Sequence, residues 1–146
     1  MYWLLAGLAV AAGILLAVQS GVNAALGKAL DQPLLAALGS FTIGGTALLL
    51  TCIGLRLPLP TREQLSAPWW VWTGGLLGAF FVVGQAMLPP RLGLTVYLVL
   101  VIAGQLVTAL VLDHFGMIGL KEQPITAWRL LGVVFLVAAV ALIRGG

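Results

Sequence analysis

Charge is what this chain has least of. Only 8% of its 146 residues are charged, against about 25% in an ordinary soluble domain. Composition of this kind leaves no room for soluble enzymology. The net charge of +3 is spread along the chain as single residues, so no basic patch exists for nucleic acid. Cysteine is almost missing as well. Cys52 stands alone within an apolar stretch, where a buried small hydrophobe is the expected role and redox or metal chemistry is not. The single histidine, His114, has one acidic neighbour, Asp113. A metal needs several convergent ligands, so neither a metal nor any cofactor is expected.

Long apolar runs are what remains. Met1–Gly27, Gln32–Leu55, Gln64–Pro90 and Leu92–Leu112 contain no Asp, Glu, Lys or Arg, and Pro124–Ile143 contains only Arg129. A bilayer core of roughly 30 Å takes about 20 helical residues at 1.5 Å each. The first run lacks a basic n-region and is too long for a signal peptide, so it reads as a retained span. We therefore expect an all-α integral membrane protein. Its five spans are placed at about 3–27, 33–55, 69–88, 92–112 and 124–143. The loops are too short to hold a second core, so residues 1–146 are expected to form a single transmembrane domain.

The breaks between spans carry recognisable signals. Asp31-Gln32-Pro33 suits a helix start, with Asp as cap and Pro in the first turn. Thr61-Arg62-Glu63-Gln64 matches a capping box and predicts a short interfacial helix. Gly84, Pro89-Pro90 and Gly93 would ease bending near one end of the bundle.

An odd number of spans puts the termini on opposite sides of the membrane. Trp3, Trp69, Trp70, Trp72 and Trp128 then all fall on the side of the N-terminus, at headgroup depth. Lys and Arg give far less guidance. Arg56, Arg62, Lys121 and Arg129 lie on that side, and Lys28, Arg91 and Arg144 on the other. So small a bias is compatible with dual topology, in which copies insert both ways. Five helices can barely enclose a solute and also shield it from lipid. Transporters commonly set the site between inverted repeats, and no internal repeat is evident here. The second half would be another chain, either an antiparallel homodimer partner or a homologous half.

Polar residues within the spans are the candidates for function, because hydrocarbon penalises them unless they pair or face water. Gln19 and Asn23 are four apart and share a helix face. Together with Gln85 and Gln105 they are the expected lining of a solute path. Interhelical hydrogen bonding is the competing reading, and the stronger one for Ser40, Thr42, Thr46 and Thr51. Gly7/Ala11, Ala17/Gly21/Ala25, Gly74/Gly78 and Gly104/Thr108 have small-xxx-small spacing, which favours close helix approach. Asp113 and His114 are the candidates for coupling or gating, with His114 able to titrate physiologically. The alternative for Asp113 is an interfacial cap or an ion pair with Lys121 or Arg129.

Four segments together are familiar: Gln19-Ser20-Gly21-Val22-Asn23, Gly74-Gly75-Leu76-Leu77-Gly78-Ala79, Gly104-Gln105 and Asp113-His114-Phe115-Gly116. In them, and in its length and span count, the chain resembles the YdcZ-type half-size family of the drug/metabolite transporter superfamily. The resemblance implies a five-helix half-transporter bundle in the bacterial inner membrane, an exporter whose substrate is generally unassigned. Our own expectation is that it moves a small metabolite or amphipathic compound by alternating access. Full-length members of that superfamily have two inverted five-span halves, which agrees with an antiparallel pair. One departure concerns the related small multidrug resistance family, whose first span carries an essential Glu. The first span here has no acidic residue, so proton-driven cation export by that route is not implied. Two other readings are a non-transporting assembly or lipid-handling subunit, and a dual-topology fluoride channel. The channel matches only at Gly74–Ala79, with Phe80-Phe81 where its Arg-Tyr would follow.

Overall fold

Long apolar helices dominate the computed structural model, which describes residues 1–145. In chain order they are α1 (Tyr2–Leu30), α2 (Pro33–Gly54), the short α3 (Arg62–Leu65), α4 (Gly74–Met87), the short α5 (Pro89–Leu92), α6 (Leu94–His114) and α7 (Ala127–Gly145). A 3₁₀ turn at Trp69–Thr73 leads into α4, and another lies at Met117–Gly119. Among the described residues five segments are long and apolar enough to cross a membrane: Tyr2–Leu30, Pro33–Gly54, Trp69–Leu92, Leu94–His114 and Ala127–Gly145. All five expected spans are there, and the protein is a helical membrane bundle.

The breaks differ in detail from the sequence reading. Asp31 does not start α2. It closes α1 in the left-handed conformation at φ 51°, its N–H directed to the Gly27 and Lys28 carbonyls. Aspartate tolerates that conformation better than most residues. Extended Gln32 is the N-cap of α2, and Pro33 takes the first turn as expected. α1 consequently runs past Gly27 and takes in Lys28. The capping box is present, with the Thr61 hydroxyl accepting from the Gln64 N–H and the Gln64 side chain accepting from the Thr61 N–H. Gly93 at φ 83° lies between α5 and α6, where a side chain would be strained. The last helix begins at Ala127, three residues beyond Pro124. Cys52 is exposed rather than buried, as is every residue of α2 from Phe41 to Gly54.

The chain divides into two compact units, Met1–Arg91 and Leu92 onward. In the first, α1, α2 and α4 pack pairwise against one another. Its interior is made of small and polar residues: Ser20, Asn23 and Gly27 from α1, Ala36 and Ala37 from α2, Val82, Gln85 and Ala86 from α4. Lipid tails are as apolar as leucine, so large apolar side chains gain nothing by turning inward. Close approach of backbones takes over. A Cβ added at Gly27 would lie 3.1 Å from the Ala86 carbonyl oxygen, which fixes the α1–α4 crossing. In the second unit α6 and α7 pack as a pair, with the Met117–Gly119 turn against α6.

Candidate functional site

The largest fully buried side chains in the molecule are Gln85, Asn23 and Ser20. They form one continuous hydrogen-bonded chain through the first unit. Ser20 Oγ donates to the Leu16 carbonyl at 2.8 Å. Gln85 Nε2 donates to Ser20 Oγ at 3.0 Å, and Gln85 Oε1 accepts from Asn23 Nδ2 at 2.8 Å. Asn23 Oδ1 then accepts from the Ser40 hydroxyl on α2. The chain joins all three helices and leaves no buried side-chain nitrogen or oxygen without a partner among the described residues. Such satisfaction is what hydrocarbon demands of polar groups at this depth.

Two grooves flank this clasp. One, of about 240 Å³, is lined by Gln19, Ser40, Phe41, Gly44, Gly45, Leu48 and Val82. Gln19 is exposed, and its amide makes no hydrogen bond among the described residues. Phe41 also borders the second groove, of about 370 Å³, which is almost wholly apolar and includes Leu34, Leu38, Ala79 and Val83. The Phe41 ring leaves only 3.3 Å for a Cβ at Gly78. That glycine of the Gly74/Gly78 pair therefore gives the ring its seat.

The second unit holds the remaining candidates. Gln105 is exposed midway along α6, likewise without a side-chain hydrogen bond among the described residues. Asp113 and His114 end α6, and both anchor the loop that returns to α7. Asp113 pairs with Arg129 at 3.6 Å, and its carbonyl accepts from the Gln123 N–H at 2.7 Å. Arg129 also donates to the Gln123 carbonyl at 3.4 Å and to its side-chain oxygen. His114 Nδ1 accepts from the Ile125 N–H at 3.3 Å, with the Phe115 ring edge-on at 4.7 Å. Among the described residues no third metal-ligating side chain joins Asp113 and His114.

Of the four expected path residues, Asn23 and Gln85 meet each other and Gln19 lines the adjacent groove. Gln105 belongs to the other unit. Ser20 escapes the sequence reading as a site residue, although a signal for it exists. Ser20, Asn23 and Gly27 recur at helical spacing as the small and polar stripe of an otherwise apolar helix.

With this geometry in hand, comparison with known proteins gives one finding. The family model described as "Putative inner membrane exporter, YdcZ" matches residues 4–142. No curated protein and no solved structure matches the chain.

Proposed function

This chain belongs to the YdcZ family of inner-membrane exporters, and on that premise we propose that it moves a small metabolite or amphipathic compound across the bilayer by alternating access. Membership of an exporter family supports a transporter rather than an enzyme. The observation that carries the proposal is the Gln19 amide. It is exposed within an apolar span, with no partner among the described residues, and lines a groove whose other polar side chain, Ser40, is already paired. An amide so placed costs free energy unless something polar visits it.

In this reading Gln19 meets the passenger, while Asn23 and Gln85 hold the wall behind it. Gln105 supplies a second amide from the other unit. Asp113 and His114 set the position of the loop before α7, where gating would act. The exposed residues of the spans are mostly apolar, and in the most apolar stretch of each span at most 17% of the residues are buried. A bundle so thinly covered is consistent with a second copy completing it. We place that copy antiparallel, because the near-balance of Lys and Arg across the two sides permits both insertions and inversion supplies the missing repeat. The passenger, the lipid and this second copy are the expected partners.

The test is flux in proteoliposomes. Gln19→Leu and Gln105→Ala are expected to lose transport while keeping assembly, as judged by size-exclusion chromatography. Undiminished flux in both would remove the amides from the path. The lipid-handling alternative has one observation in its favour, the apolar groove of about 370 Å³. Lipid scrambling without solute flux would select it.

A further inference from the structure

The lining of the groove at Gln19 contains no charge, and on the three helices that form it the charges lie towards the helix ends. Its lining is one amide, one hydroxyl, one aromatic ring, two aliphatic side chains and two glycines. On α1 the closest charged residue is Lys28, nine residues beyond Gln19, or about 13 Å along the axis. Around α2, Arg56 lies eight residues beyond Leu48 and Asp31 nine residues before Ser40, each beyond an end of the helix and about 12 Å or more away by the same rise. On the third span, Arg91 lies nine residues beyond Val82, again about 13 Å.

The neutral polar groups cannot substitute for a counter-ion either. Ser40 directs its hydroxyl proton to Asn23, and the Asn23 and Gln85 amides are committed to each other and to Ser20. Gln19 alone offers a free donor and a free acceptor. That combination matches a single uncharged polar group, such as an amide, which both gives and takes a hydrogen bond. Apart from the Ser40 hydroxyl, the rest of the lining is apolar and includes a ring held in place against Gly78. A volume of about 240 Å³ lies below the 300–1,000 Å³ or so of drug-sized sites.

We infer that this groove binds an electrically neutral, small solute with an apolar body and one amide-like polar end, and discriminates against ions of the same shape. This rests on the transport reading above and specifies the substrate class for it. An ion entering the groove would lose its hydration with no opposite charge to replace it. Insertion energies for charged groups in hydrocarbon correspond to discrimination on the order of a hundredfold.

Gly44 and Gly45 make the inference testable without disturbing the fold. A Cβ added at either meets nothing within 4 Å, so a larger side chain there has room to start into the groove, and unchanged helical content and melting are the check that packing is kept. Binding of three matched probes, 3-phenylpropanamide, 3-phenylpropanoate and 3-phenylpropylammonium, would be measured on the full chain in lipid nanodiscs by saturation-transfer NMR. The amide is expected to bind at least tens of times more tightly than either ion. Gly45→Leu and Gln19→Leu are expected to weaken amide binding tenfold or more, with helical content and melting unchanged. Equal or tighter binding of an ion, no binding by the amide, or amide binding indifferent to Gly45→Leu would each overturn the inference. Counterflow of the amide in proteoliposomes, measured above protein-free vesicles, tests the transport reading separately. Binding without counterflow keeps the site and rejects transport; counterflow without charge discrimination keeps transport and rejects the site.

Discussion

Replacing Gln85 by leucine should damage the first unit more than its two hydrogen bonds suggest. Gln85 is fully buried and bonds both Asn23 and Ser20. Interhelical hydrogen bonds within membranes average about 0.6 kcal/mol, so two amount to roughly 1.2 kcal/mol. The larger effect comes from Asn23, whose Nδ2 loses its acceptor while 1% exposed. A stranded buried donor costs about 1–3 kcal/mol. Leucine has similar bulk, so no cavity contribution enters, and the total is about 2–4 kcal/mol. The decisive measurement is the double-mutant cycle with Asn23→Leu, read from reversible SDS unfolding in mixed micelles. Once both amides are gone nothing is stranded. Ser20 keeps the Leu16 carbonyl, and Ser40 can turn to the carbonyl four residues back. The double variant should therefore lose about 2 kcal/mol less than the sum of the singles. Additivity within about 0.5 kcal/mol, or a stabilised Gln85→Leu protein, would refute the clasp.

Three other outcomes follow from the same structure. Gly27→Ala should destabilise by about 1–3 kcal/mol, since its Cβ would meet the Ala86 backbone oxygen at 3.1 Å and backbone cannot swing aside. Gly13→Ala, with nothing within 4 Å, should be neutral or stabilising by up to about 1 kcal/mol; the same unfolding assay compares them. Arg129→Gln breaks a pair whose side chains are 34% and 33% exposed, so less than about 1 kcal/mol is expected. Hydrogen exchange should still find the Gln123 amide protected, because it bonds the Asp113 carbonyl. Two lysines added between Arg56 and Pro68 should fix the orientation and impair transport, with rescue by an oppositely biased copy. Cysteine labelling from each face checks the orientation, and full activity from one uniformly oriented population would reject dual topology.

The span count was legible because it rests on length and charge alone, and the charge-free runs are unambiguous. Helix ends were less so. Asp31 carries the residue type of an N-cap, yet its tolerance of the left-handed conformation let it close the helix before instead. Both roles suit a short polar side chain, and only the geometry of the turn decides between them. Cys52 departs from expectation because an apolar stretch need not be covered by protein. In a bilayer an apolar residue may face lipid with equal ease, so hydropathy cannot tell the two apart. The inner face of the first unit was partly legible. Asn23 and Gln85 stood out by polarity, whereas their contact is set by Gly27 meeting Ala86, a pairing between residues of no chemical distinction.

A sharper division emerges among the amides of the spans. Asn23 and Gln85 spend their hydrogen-bonding capacity on each other and on two serines, so altering them tests the fold before it tests the function. Gln19 and Gln105 have no such bonds among the described residues and are exposed. On the transport reading proposed above, the unbonded pair finds its partners in a passenger or a second copy. Gln19→Leu and Gln105→Ala should accordingly leave unfolding energies within about 0.5 kcal/mol of the parent, as surface substitutions do. A loss of about 2 kcal/mol or more in either would mean that the amide is structural after all, and the division between clasp and path would fail.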